Sequence, residues 1–347
     1  MGGNRIRVAA TGAALVLAMA LSACGSSDDD GKDDDSSGQP VATPTPTNEG
    51  AVTEGSGEGM KVGYISLGDS LPFVKIVSDG IKKAADEAGV ELLFCDSQLD
   101  AAKALECART FKTQEVQGIL NFQLDEGAAE QICAAGPDVP VIAIDIHQAP
   151  CEVTFMGANN EQAGVTNGEG LGNYFKSEFN CEYDAFVSLE VPAAGAVTKL
   201  RSDSAIKGFE NICGPIPEDK MRHVAAEGTT DNGRQVFADT LTALPDAKRI
   251  AVTSVNDDIA LGVIAAAKAQ GREGDIWMTS SGADPTSWTG IRENPNWIGD
   301  SAYFPEGYGN IGIPAIIKLI NGEDVPAELL TEHVFISKDN IDEYYPQ

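Results

Sequence analysis

The stretch that decides the fold is Lys61–Phe94, KVGYISLGDSLPFVKIVSDGIKKAADEAGVELLF. Val62–Leu67 is a short apolar run of the kind that forms a strand buried on both faces. Gly68, Asp69, Ser70 and Pro72 interrupt it. Val74, Val77, Ile81, Ala84, Ala85 and Ala88 then recur at helical spacing, with Lys75, Asp79, Lys82, Lys83 and Glu87 opposite them. Gly89 is a helix stop, and Val90–Phe94 predicts a second buried strand. Strand, loop, helix, strand makes a parallel unit with a right-handed crossover. Its Gly68–Pro72 loop follows the carboxyl end of the first strand, where open α/β sheets bind ligands.

The same unit recurs on both sides of a midpoint. Ala101–Glu115 and Glu126–Ala135 predict helices, and Gly118–Phe122 and Val141–Ile144 predict strands. Cys151–Gly157 is a weaker extended run. The second half predicts strands over Tyr183–Leu189, Met221–Ala226, Ile250–Val255 and Ile276–Ser280. Its helices are expected over Glu161–Phe179, Lys199–Ile212, Asn232–Leu244 and Ile259–Gln270. Gly164, Gly168, Gly170 and Gly172 weaken the first of these. Its GEGLG run has neither the preceding strand nor the spacing of a dinucleotide fingerprint. Trp297–Phe304 is a further extended run, Tyr308–Ile320 a helix with a possible kink at Pro314, and Val334–Ile336 a last short strand. The fold class is therefore α/β, with two similar doubly wound parallel-sheet lobes.

At 347 residues the chain has length for two domains with ample cores. Arg5 and Arg7 precede an apolar run from Val8 to Ala20, then Leu21-Ser22-Ala23-Cys24. This order matches a lipoprotein signal peptide over residues 1–23, with lipid on Cys24. The apolar run is short of the ~20 residues a membrane span needs. Residues 24–59, rich in Asp, Ser, Gly, Thr and Pro, predict a lipidated disordered tether. The expected localisation is the outer face of the cell membrane, held through the lipid alone. The net charge of −29 argues against nucleic acid and against direct binding of anionic lipid by the folded part.

Seven cysteines and an export signal point to an oxidising compartment. With Cys24 assigned to lipid, six remain, and six allow fifteen pairings. The predicted topology favours neighbours in sequence: Cys95–Cys107, Cys133–Cys151 and Cys181–Cys213, each within one lobe. Buried free thiols are the alternative.

Several stretches resemble the ribose/galactose type of extracellular solute-binding proteins that feed ABC importers. They are PFVKIVSDGIKKAADEAGVELLFCDSQLDAAK, GILNF, PVIAIDI ending at Asp145, IKGFE at Ile206–Glu210, and SVNDDIALGVIAAAKAQG. The last is the most specific, and the likeness spans about Met60 to Ser337. The resemblance implies three crossovers, near Ala158–Gln162, Tyr303–Pro305 and Thr331–Val334, with the ligand in a cleft. The amino-terminal lobe would then be 60–160 plus 304–332, and the carboxy-terminal lobe 161–303 plus 333–347. It also implies an ABC permease as partner, a monomer, no cofactor, no metal and no catalysis.

The resemblance carries over to named positions. Phe73 falls where the family stacks an aromatic ring on a sugar, whose C–H face suits such a plate. Ser70 is in the same loop. Asn121 and Gln123 end the third strand, and an amide both donates to and accepts from hydroxyls. Asp145 matches the family's sugar-binding aspartate, but Ile146 stands where ribose binders have arginine, and His147 follows. Asp203 occupies another arginine position, with Arg201 nearby to replace it. Asn256 matches a ligand asparagine; capping of the next helix is its other reading. Asp284 and Trp288 lie in SGADPTSW, where Trp288 either stacks on ligand or packs on its lobe. Tyr303 falls where the family has glutamine. These departures leave pentose, hexose, polyol or another small polar solute open.

Two other classes are weaker. Asp145 with Asp257 invites comparison with glycoside hydrolysis, but the sequence carries no G-x-S-x-G elbow, P-loop or H-E-x-x-H. A receptor presenting ligand to a membrane sensor would have the same sequence features as a transport protein.

Overall fold

The computed structural model describes residues 51–347. The expected signal peptide, Cys24 and the expected tether up to residue 50 lie outside the described residues. Two six-stranded sheets organise the described residues. The first receives β1 (Lys61–Ser66), β2 (Glu91–Asp96), β3 (Gly118–Asn121), β4 (Val141–Ile144) and β5 (Glu152–Ala158), joined through α1 (Pro72–Ala88), α2 (Ala101–Thr113) and α3 (Ala129–Ala135). The chain then passes through Asn159 to α4 (Asn160–Phe179) and the second sheet. There, β6 (Ala185–Glu190), α5 (Ala196–Cys213), β7 (Met221–Ala225), α6 (Thr230–Ala243), β8 (Ile250–Ser254), α7 (Asp257–Ala269), β9 (Ile276–Gly282), α8 (Pro285–Glu293) and β10 (Trp297–Ala302) follow in order. It returns through Tyr303 and Phe304 to α9 (Tyr308–Ile320) and β11 (Glu328–Thr331), which pairs with β5. A third passage leads to β12 (Val334–Ile336), antiparallel to β10, and to α10 (Ile341–Tyr344).

The strand orders are β11-β5-β4-β3-β1-β2 and β12-β10-β9-β8-β6-β7. In each sheet the first strand has neighbours that lead off in opposite directions. That reversal opens a crevice at the carboxyl ends of the strands. The core follows the predicted pattern: Val74, Val77, Ile81, Ala84, Ala85 and Ala88 of α1 are buried. Gly89 closes the helix in the left-handed conformation, with φ 74°.

Four details differ from expectation. β2 is an edge strand, and Phe94 stays 39 % exposed with the Lys82 ammonium 3.7 Å from its ring centre. The end of the expected tether is folded. Gly55 and Gly57 donate amides to the carbonyls of Glu87 and Ala88, at 3.2 and 2.7 Å, satisfying acceptors at the end of α1. α8 stands where a loop was expected, capped by Asp284 and begun by Pro285. The short β11 and α10 were also unforeseen.

The three disulfides join Cys95–Cys107, Cys133–Cys151 and Cys181–Cys213, with Cα separations of 5.9, 5.7 and 5.3 Å. Each lies within one sheet and its helices, so none bridges the crevice.

The glycines of α4 have a packing role. α4 and α5 cross with almost no side chain between them. A Cβ at Gly168 would lie 1.9 Å from the Ala205 carbonyl oxygen, one at Gly164 2.2 Å from that of Arg201, and one at Gly208 2.4 Å from that of Val165. This close crossing seats α5, and with it Arg201, against the start of α4.

Candidate ligand-binding cleft

A cavity of about 120 Å³ lies where the carboxyl ends of the two sheets face each other. Six of the residues singled out in the sequence line it: Phe73, Asp145, Arg201, Asn256, Asp284 and Tyr303. The first sheet's side contributes an apolar wall that includes Leu71, Val74, Phe122 and Ile146. The second contributes most of the polar groups.

Asp145 follows β4 in a left-handed conformation, φ 54°. Its Oδ1 accepts from the Ala158 amide and the Tyr308 hydroxyl, both at 3.0 Å. Burial raises its pKa; the Ala158 amide, the Arg201 charge and Tyr308 counteract part of that rise. Arg201 is also held from two sides. Nε and Nη2 donate to Asn160 Oδ1 at 2.9 and 2.6 Å, and Nη1 donates to the Val255 carbonyl at 2.6 Å. Its guanidinium carbon stands 5.0 Å from the Tyr303 ring centre. Tyr303 meets Phe73 edge to face, with centroids 6.1 Å apart. The Tyr303 hydroxyl is buried without a partner, and its pKa is pushed up to about 12, mainly by burial.

Asn256 has the capping role of its second reading and also lies at the cavity. It lines the cavity and caps α7: its Oδ1 accepts from the Ile259 amide and its Nδ2 donates to the Gly228 carbonyl, both at 2.9 Å. Asp284 caps α8 through Oδ1, while Oδ2 is buried and unpartnered.

Behind Asp284 lies an acidic cluster. Asp257 accepts from the Ser280 hydroxyl and from the Asp284 amide, both at 2.9 Å. Ser280 Oγ also contacts Asp300 Oδ2 and accepts from the Trp297 indole at 3.0 Å. One hydroxyl proton cannot serve two carboxylates, so one of the two acids retains its own proton. Burial, then the Asp300 charge, accordingly holds Asp257 well above the usual carboxylate range. Asp284 and Asp300 are raised chiefly by burial, and Asp258 is pushed up to about 6 by burial and then by Asp284.

These groups set a pH dependence. The folded chain keeps protons on Asp145, Asp257, Asp258, Asp284 and Asp300 that the unfolded chain releases above its ordinary carboxylate pKa. Stability therefore falls as pH rises from about 4 through each folded pKa. His333 acts oppositely: its pKa is lowered from 6.5 to about 4, chiefly by burial, so acidification through that window costs stability. Asp257, held well above the usual range, and Asp258, at about 6, outweigh the single histidine. The melting temperature should be higher at pH 5 than at pH 7.5 by roughly 5 °C, a few kcal/mol for a chain this size. A calorimetric midpoint that is flat or falls toward pH 5 would contradict this.

Six residues singled out in the sequence do not line the cavity: Ser70, Asn121, Gln123, Trp288, His147 and Asp203. Ser70 is exposed in the turn before α1. Asn121 faces the opposite side of its sheet, toward α2 and α3, because side chains alternate along a strand; Phe122 takes the cleft position instead. Asn121 Nδ2 and Gln123 Nε2 both donate to Gln148 Oε1, at 3.0 and 2.8 Å. Gln123 also bonds the backbone of Asp125 in both directions. The fully buried Gln148 organises this network and was not foreseen. Trp288 stacks on Tyr345 at 4.4 Å and donates its indole proton to the Ala283 carbonyl at 2.8 Å, so it packs on its own lobe. His147 pairs with Glu152 at 2.8 Å. Asp203 pairs with Lys199 on the surface.

One bond away from the cavity also spans the crevice. Glu126, just after β3, accepts from the Ala196 amide at the start of α5 at 2.9 Å. Gly195 makes room for it: its φ is 70°, and a Cβ there would overlap the Glu126 carboxylate.

Comparison with known proteins agrees with this geometry. Residues 62–324 match the periplasmic binding protein domain model, so the chain belongs to that family. It is 25 % identical over 259 residues to the ribose import binding protein of Escherichia coli, covering 74 % of this chain and 83 % of the relative. It is 29 % identical over 228 residues to the D-apiose import binding protein of Actinobacillus succinogenes, covering 64 % and 70 %. Among solved structures, an ABC transporter solute-binding protein from Mycobacterium smegmatis with bound glycerol superposes with a TM-score of 0.73, at 20 % identity over 83 % of this chain and 97 % of that one. One from Bacillus halodurans with bound myo-inositol gives 0.69 at 19 % identity, over 83 % and 98 %. The fold is that of the two-lobed α/β solute-binding proteins.

Proposed function

We propose that the chain is an extracytoplasmic solute-binding protein that captures a small polar solute, a neutral sugar or polyol, between its lobes and delivers it to an ABC permease. The observation that carries this is the cavity between the two sheets, with Phe73, Tyr303, Asp145, Asn256 and Asp284 in its lining. An aromatic plate suits the C–H face of a sugar, and carboxylates and a phenol suit its hydroxyls. The relatives named for ribose and D-apiose, and the neighbours holding glycerol and myo-inositol, support the same ligand class.

Charge narrows the class. Asp145, Glu227, Asp257, Asp258 and Asp284 line the cavity against Arg201 alone, and Arg201 is already bonded to Asn160 and Val255. An anionic solute would meet acidic side chains, charged or protonated, and no free countercharge. Asp257 has both oxygens bonded within its own cluster, which favours binding without turnover. A thermal-shift screen of neutral sugars and polyols should find a compound that stabilises by about 2.7 kcal/mol at one hundred times its dissociation constant. A panel of pentoses, hexoses and polyols that leaves the midpoint unmoved would reject the reading.

Lipid on Cys24 and a tether ahead of the folded part would hold this binding protein at the outer face of the membrane. Metabolic labelling with a fatty-acid analogue should mark the wild-type chain and fail to mark Cys24→Ser. Equal labelling of both would show that Cys24 carries no lipid.

A further inference from the structure

The three passages between the sheets meet at one side chain. His333 lies in the third passage, between β11 and β12. Its Nε2 accepts from the backbone amide of Asn159, in the first passage, at 2.7 Å. Its Nδ1–H donates to the carbonyl of Ala302, where the second passage begins, at 3.1 Å. The ring, nearly buried, packs edge-on against Tyr303 with centroids 4.6 Å apart, and Tyr303 lines the cavity. Asn159 and His333 are 174 positions apart in sequence, and they follow the paired ends of β5 and β11, where Thr331 stands beside Ala158, so the ring carries that pairing on into the passages.

The two bonds require one form of the ring. An amide N–H can be accepted only by an unprotonated Nε2, so the proton belongs on Nδ1, where it meets a carbonyl. Arginine or lysine has no acceptor for Asn159, and an aliphatic side chain has neither group. A hinge made of three separate strands has many ways to bend. Fastening all three to one rigid ring leaves fewer.

We infer that His333 is a positioning residue, the pin that gathers the three passages into a single pivot and sets the resting separation of the lobes. Through its contact with Tyr303, it also fixes one wall of the cavity relative to that pivot. The inference rests on reading the crevice as a binding cleft, but its tests need no ligand, so its failure is separable from failure of that reading.

The chain has three histidines, which makes ring-nitrogen NMR of the full protein tractable. At pH 7 the His333 ring should be neutral, with the proton on Nδ1; the other tautomer or an imidazolium would overturn the inference. Dyes placed at the exposed positions Lys112 and Lys268 report the separation of the lobes by energy transfer. His333→Phe keeps a ring against Tyr303 but removes both bonds, and should broaden the ligand-free distance distribution at least twofold. His333→Gln, whose amide offers an acceptor and a donor at similar spacing, should restore the wild-type width. A folded His333→Phe with an unchanged distribution would overturn the inference. If that variant does not fold, hydrogen exchange at the Asn159 amide of the wild-type protein decides. At least tenfold protection is expected, and free exchange would refute the bond.

Discussion

Gly168→Ala is expected to destabilise the folded chain by about 3 kcal/mol, although alanine is the better helix former by ~1 kcal/mol. The added Cβ would stand 1.9 Å from the Ala205 carbonyl oxygen and 2.7 Å from the Phe209 nitrogen, both of them backbone atoms of α5. No rotamer moves a Cβ away, so α4 and α5 must separate. Separation opens the contacts around Gly164 and Gly208 as well, and those hold α5 at its closest approach. Arg201 belongs to α5 and bonds Asn160 at the start of α4, so the same change loosens the cleft. Gly274→Ala, at a site with nothing within 4 Å of an added Cβ, is the control and should stay within about 0.5 kcal/mol of wild type. Urea denaturation of the two variants makes the comparison. Equal midpoints would mean that the helices do not cross as closely as described.

The second large effect concerns affinity. Asp145→Asn should weaken binding of the captured solute by roughly 10- to 100-fold, the worth of a hydrogen bond to a charged group. The substitution is chosen to spare the fold. Asparagine keeps an oxygen for the Ala158 amide and the Tyr308 hydroxyl. It removes the charge and the second oxygen, which makes no hydrogen bond to protein. The opposite expectation holds for Asn121→Ala. That side chain is bonded to Gln148 on the far side of its sheet, so affinity should stay within about twofold of wild type. Titration calorimetry on both variants separates the two faces of the sheet. A strong loss at Asn121 with none at Asp145 would invert the assignment.

Most of the architecture was legible because it rests on local patterns. The apolar run of β1, the helical spacing of α1 and the stop at Gly89 need no distant partner to be read. The cleft was legible where a strand's carboxyl end runs straight into a loop, as at Asp145, Asn256 and Tyr303. Asn121 and Gln123 were misplaced because the face of a strand changes with every residue. Trp288 was ambiguous only while α8 was taken for a loop, although Asp284 followed by Pro285 is a helix-start signal. The glycines of α4 looked like weaknesses because their purpose lies in α5. Gly164, Gly168 and Gly172, one turn apart, nevertheless mark a stripe for close approach. Gln148 and His333 carry no local signature at all, since each acts by joining segments far apart in sequence.

On the proposed reading, the crevice holds one small, uncharged, hydroxyl-bearing solute. The most direct measurement is calorimetric titration of the purified chain with the neutral sugar or polyol found by screening, beside an acidic derivative of the same compound, such as its uronic acid. Saturable one-to-one binding of the neutral compound, no turnover, and binding of the acid weaker by at least tenfold are expected. Equal or tighter binding of the acid, more than one equivalent site, or slow consumption of the titrant would contradict it.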